Sequence, residues 1–125
     1  IPNAGLAPGW PVYIKFRGDI SDVLDQALYP VAWLDARVAT GDVDVMATDT
    51  SCILTEFKQY PSGAWEIHGV VAVGAANEIT GVLIPKAEQY GRERGCVIAS
   101  IASRRGWAKV LPDYEVHQVE LRKEL

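Results

Sequence analysis

The sequence has little sulfur and little imidazole. Its 125 residues include two cysteines, two histidines and one methionine. Cys52 and Cys96 lie far apart, so no disulfide framework can be read from them, and a reducing compartment is the expectation. Together with His68 and His117 they show none of the spacings of a structural zinc site. No apolar run approaches the roughly 20 residues a helix needs to cross a bilayer, and no membrane partner is expected. A basic excess is missing too: 12 Lys and Arg stand against 16 Asp and Glu, for a net charge of −4. That balance argues against a protein built mainly to hold nucleic acid. Internal repeats and low-complexity tracts are also absent from the sequence.

What is present suits one globular domain. The chain is 49% apolar and 22% charged, and 125 residues can bury a real core. The charge is uneven. Residues 1–85 carry four basic and ten acidic side chains, residues 86–125 eight basic and six acidic. Such a split reads as two solvated faces, or as a dipolar surface that docks on a partner.

The opening eleven residues hold Pro2, Gly5, Pro8, Gly9 and Pro11. They read as a flexible N-terminal arm, 1–11, with Trp10 as an anchor onto another surface, ahead of a domain over 12–125. Val12, Ile14 and Phe16 alternate with Tyr13 and Lys15, which predicts a first strand. After Asp19 the spacing of Ile20, Val23, Leu24, Ala27 and Leu28 predicts a helix over 20–29. Val31, Leu34 and Val38 predict a second over 31–40, closed by Gly41. Residues 42–50 read as a loop or a short edge strand. Ser51–Gln59 and Ala64–Gly74 flank the turn Tyr60-Pro61-Ser62-Gly63 and predict an antiparallel hairpin. A helix over 79–94 follows, in which Pro85 marks a kink or a late start near residue 84, and Gly95 closes it. Cys96–Ala102 predicts a strand, Arg104–Leu111 a helix capped by Ser103, and Asp113–Leu121 a last strand. Trp33, Trp65 and Trp107 are expected in the core.

The centre of this order is strand, helix, strand over 64–102, a right-handed parallel crossover. Its strands are expected to be buried on both faces, with Val70, Val71, Val73, Val97, Ile98 and Ile101 in the core. The loop after the first strand is where backbone N–H groups and a helix N-terminus converge on phosphates. Here it reads Gly74-Ala75-Ala76-Asn77-Glu78-Ile79-Thr80-Gly81, with no lysine or arginine and one carboxylate. That is a poor phosphate cradle.

Three groups of residues could carry chemistry or binding. Glu66 and His68 are two apart on a predicted strand and so share a face. Glu66 could act as a general base with His68 assisting, or the pair could mark the solvent end of the strand. Tyr114 reads as a packed aromatic with its hydroxyl at the rim, and is a weaker candidate. Arg104 and Arg105, with Arg92, Arg94 and Lys109, could form a basic patch for an interaction; nucleic acid is a candidate partner there, though the acidic chain does not favour it.

The element order, best from Ser51 to Leu125, resembles the GNAT acyltransferase fold: an α/β (α+β) single domain with a mixed twisted sheet and helices on both faces. Leu83–Gly95 (LIPKAEQYGRERG) looks like the helix after the GNAT cofactor loop. Gly95-Cys96, Arg104-Arg105-Gly106-Trp107 and Val110-Leu111-Pro112 look closer still to small GNAT-like proteins encoded among virion genes of T7-like tailed phages, the podoviruses. In GNAT enzymes a loop of the form R/Q-x-x-G-x-G/A holds the pyrophosphate of acetyl-CoA. It aligns with Ala75, Ala76, Asn77, Glu78, Ile79 and Thr80. Ala75 replaces the first polar residue, and Glu78 and Thr80 replace the glycines. A carboxylate there opposes a diphosphate by ~1 kcal/mol or more. The resemblance therefore implies a non-catalytic structural or accessory virion protein without a cofactor, placed in a virion or host cytoplasm. It would act through contacts with other virion proteins or with its own copies. The alternative it implies is an acetyl-CoA-dependent N-acyltransferase with an unusual loop.

Overall fold

A computed structural model describes residues 6–101, 111–115 and 121–125. The chain builds helix α1 (Trp10–Val23), helix α2 (Val31–Thr40), strands β1 (Asp44–Ala47), β2 (Cys52–Gln59) and β3 (Trp65–Val73), a helical rod, and strand β4 (Cys96–Ile101). The rod is a short α3 (Ala76–Glu78), a π turn (Ile79–Leu83) and α4 (Ile84–Glu93). The sheet order is β1-β2-β3-β4. β1, β2 and β3 pair antiparallel, and β4 joins β3 in parallel through the rod. Helices cover both faces. On one, α1 and α2 bury Tyr13, Phe16, Ile20, Leu34 and Val38 against Cys52, Leu54 and Val73. On the other, the rod buries Ile79, Leu83 and Ile84 against Ile53, with Leu111 added.

The start of the chain departs from its pattern. Val12–Phe16 is helix, not strand, because the buried set is Tyr13, Phe16 and Ile20, at spacings of three and four. Pro11 is accommodated in the first turn, where its missing N–H is no loss. Trp10 opens α1, and its half-buried ring lies 5.6 Å from that of Tyr13 and packs on the core of its own domain. Ala7 N–H also bonds to the Ala39 carbonyl at 2.9 Å, so residues 6–11 belong to the domain rather than to an arm. α1 ends at Val23, and Leu24–Pro30 is a turn rather than helix. Tyr13 and Arg17 both donate to Asp35, at 2.5 and 2.8–2.9 Å, and tie α1 to α2.

α2, Gly41 in left-handed backbone after it, the hairpin and the crossover form as the pattern predicts. Pro85 sits in the first turn of α4, which starts at Ile84 as the pattern allows, although a π turn leads into it without a break. The proline has no N–H for the Gly81 carbonyl, and its ring crowds that carbonyl. The preceding turn widens, and Ile84 N–H bonds back to the Ile79 carbonyl as a π turn. Gly91 lets α4 close onto β3: a Cβ there would sit 2.7 Å from Ile67 Cγ2.

β4 corrects a further expectation. Val97 and Ile98 are 73% and 43% exposed, so the crossover strands are not buried on both faces. Among the described residues β4 ends the sheet, and burial concentrates one strand inward, at Cys52–Thr55. Trp33 and Trp65 are exposed as well, since they lie on the outer side of α2 and at the hairpin end of β3. The predicted helix over 104–111 and strand over 113–121 fall largely outside the described residues, as do Trp107, Arg104 and Arg105.

Candidate functional site

β3 carries an irregularity that places the site. Leu54 pairs with Val71 and Thr55 with Gly69, so Val70 is an extra residue, a β-bulge. The bulge shifts parity. Glu66 and His68 share the α1/α2 side of the sheet with Val71 and Val73, where the bulged Val70 also packs, and not with Ala72. Pairing with β4 runs from Trp65–Cys96 to Gly69–Ile101. Among the described residues the pairing ends there, and β3 continues through Val70–Val73.

His68 and Glu66 meet through a residue that sequence reasoning did not single out. Ser100, on β4, lies opposite His68 in the parallel register. Its Oγ donates to Glu66 Oε2 at 2.9 Å and lies 2.8 Å from His68 Nδ1. Tyr60 donates to Glu66 Oε1 at 2.6 Å. Burial pushes against the charge on Glu66, but the Tyr60 and Ser100 hydrogen bonds, with Lys58 nearby, outweigh it and hold the carboxyl below its ordinary value. An ionised carboxylate can only accept, so the single Ser100 proton goes to Glu66. His68 Nδ1 must then carry a proton and donate to Ser100. Its Nε2 is left as a lone-pair acceptor. Burial, then Lys58, lowers the His68 pKa from 6.5, against the pull of Glu56 and Glu66. The imidazole is therefore neutral at neutral pH, in one tautomer. Glu66 itself is 5% exposed, so its carboxylate faces the network and not solvent.

On the helix side of the same strands is a cavity of about 20 Å³, near the volume of a single water, lined by Thr55, Gly69, Ile101 and Tyr114 among others. Thr55 Oγ1 is buried there with no partner among the described residues. Tyr114 donates to Glu88 Oε2 at 2.9 Å at its edge. Burial and Glu88 keep the Tyr114 phenol protonated well above its ordinary range.

The loop after β3 is closed by its own side chains. Gly74, at φ +115°, lies against Ser51 so tightly that a Cβ would collide with it. Ser51 Oγ accepts Ala75 N–H at 2.9 Å and donates to Glu78 Oε1 at 2.8 Å. Thr50 donates to the same Glu78 oxygen. These hydroxyls, with Thr48, hold the Glu78 carboxyl below its ordinary value, hence charged. Ile79 turns into the core, and Thr80 bonds back to the Ala76 carbonyl. Ala76 and Asn77 complete the exposed first turn. The Thr50 and Ser51 hydroxyls and Ala75 N–H are committed within the chain, and a carboxylate stands beside them. The acetyl-CoA diphosphate does not fit this loop. Among the described residues no three His, Cys, Asp or Glu side chains converge as metal ligands.

The topology can now be compared with known proteins. No family model and no curated protein sequence matches the chain. Solved structures do. A ribosomal-protein-alanine N-acetyltransferase from Brucella melitensis superposes with a TM-score of 0.63 at 8% identity, over 94% of this chain and 92% of that one. The fold is the GNAT acetyltransferase fold. A predicted acetyltransferase from Clostridium acetobutylicum, solved with acetyl-CoA, gives 0.60 at 10% identity, over 94% and 89%. A transcriptional regulator from Bacillus halodurans gives 0.60 at 16% identity, over 96% and 97%. The GNAT-type reading of the sequence therefore holds for the fold. The finer likeness to T7-like phage proteins has no counterpart, for none of these three carries a virion role in its name.

Proposed function

We propose that the chain catalyses acyl transfer from a thioester to an amine. The observation that carries this is the Glu66–Ser100–His68 array, set across the parallel β3–β4 pair of a GNAT-type fold. His68 Nε2 takes a proton from the attacking amine. The amine nitrogen forms a bond to the acyl carbon, the carbon–sulfur bond breaks, and the proton passes to the departing sulfur. Glu66 acts through Ser100: the pair fixes the tautomer and stabilises the imidazolium as it forms. This exchanges the roles expected from sequence, where Glu66 was the base and His68 the assistant. Tyr114 stays protonated at the cavity edge and takes no proton in this scheme.

The experiment is amide formation from acetyl thioesters and a panel of primary amines, followed by release of the free thiol. His68→Gln should lower kcat by roughly 10²–10⁴, the range of a general base. Ser100→Ala should lower it less and shift the pH dependence, since it loosens the tautomer without removing the base. Transfer that survives His68→Gln unchanged would refute this assignment.

A second reading rests on Glu78. A loop that fills itself suits a scaffold that has given up its donor and works through protein contacts, as a structural or accessory virion protein would. Absence of thiol release with every thioester, together with a thermal midpoint that none of them moves, would favour it.

A further inference from the structure

We propose that Glu78 is a donor-specificity residue that excludes a diphosphate, so that the acyl group comes from a thioester whose arm ends before one. Pantetheine thioesters are that chemical class. The inference rests on the acyl-transfer reading and narrows its donor.

Three features of the loop support it. The first is donor count. Ser51 and Thr50 each have one hydroxyl proton, and both go to Glu78 Oε1. Ala75 N–H goes to Ser51 Oγ at 2.9 Å. An incoming phosphate would have to break these bonds to gain those three donors. The second is charge. A carboxylate in the first turn already balances the positive end of the rod, the feature that draws phosphates to such ends. The third is space. Gly74 brings the backbone close to Ser51 rather than leaving room for a ligand. Lys15 reaches the neighbouring turn, where it donates to the Asp49 carbonyl at 3.1 Å, but it makes no ion pair with Glu78.

The test compares S-acetylpantetheine with acetyl-CoA in the wild-type chain and in Glu78→Gln and Glu78→Ala. The wild type should show the higher kcat/KM with S-acetylpantetheine. Both variants should move the ratio toward acetyl-CoA by at least about tenfold, the equivalent of 1.4 kcal/mol. A wild type that prefers acetyl-CoA, for instance through Lys15, would overturn the proposal, as would an unmoved ratio in the variants. Should the variants fail to fold, inhibition of the wild type decides: free CoA should bind no more tightly than pantetheine, and tighter CoA overturns the proposal. If neither thioester supports transfer in the wild type or in the variants, the acyl-transfer reading itself falls.

Discussion

Gly91→Ala tests the contact on which the site depends. α4 lies on β3 at Gly91, and the added methyl would stand 2.7 Å from Ile67 Cγ2 and 3.3 Å from Ile67 Cβ. Carbon atoms pack best at about 3.5–4.0 Å, so the pair falls short by roughly 1 Å. Ile67 cannot swing away easily, because a β-branched side chain in a strand has few rotamers and this one is buried. Forcing a methyl into such a place costs about 1–3 kcal/mol. Replacing glycine by alanine inside a helix returns up to about 1 kcal/mol. With the full helix term returned, the net expectation is a loss of about 0–2 kcal/mol. Gly18→Ala in α1 is the control: it gains the same helix term, and its Cβ would meet nothing within 4 Å. It should therefore be neutral or more stable than the parent. Urea unfolding with an unchanged m-value would read both, and the midpoints should separate by about 1–3 kcal/mol. Because Ile67 lies between Glu66 and His68 on β3, Gly91→Ala should also depress transfer activity while Gly18→Ala does not. If Gly91→Ala is as stable as Gly18→Ala, the close approach of α4 to β3 is wrong, and the placement of the site with it.

Asp35→Ala should cost about 1–3 kcal/mol, because it strands the Tyr13 hydroxyl without its acceptor on a fully buried side chain. The Arg17 hydrogen bond depresses the Asp35 pKa against burial, with Tyr13 adding to it. This contribution is therefore present above the unfolded value of 3.8 and is lost as pH falls through the folded one; Asp35→Ala should flatten the acid limb of a stability profile. Thr55→Val should raise the unfolding midpoint by about 1 kcal/mol, since it removes a buried hydroxyl that has no partner among the described residues; a fall would mean that the hydroxyl is satisfied. With His68 as the base, the rate should rise with pH through a midpoint below 6.5, because burial lowers that pKa and the neutral ring is the active form. The same limb persisting in His68→Gln would assign it to another group.

Local signals set much of the fold. Gly41 and Gly95 end helices because left-handed backbone is cheap for glycine, and no distant contact is needed to see it. The Tyr60–Gly63 turn between two apolar runs fixes the hairpin, and an apolar strand, a helix and a second strand fix the parallel crossover. The mismatch of Glu78 with a phosphate loop was legible for the same reason, being a matter of residue type at one place. Tertiary structure decided what depends on register and on neighbours. Val12–Phe16 alternates like a strand, yet α1 forms because Tyr13, Phe16 and Ile20 find α2 and β2 beneath them. Val97 and Ile98 look like core but are exposed, because nothing in the residues says how far a strand will be covered. Glu66 and His68 could be placed on one face by period two alone. That Ser100 would stand between them required the β3–β4 register, and that Glu78 would be held by Thr50 and Ser51 required the β1–β2 hairpin to reach the loop. Residue types and short spacings are written in the chain, but which distant side chains share a hydrogen bond depends on how strands slide past one another, and only packing sets that.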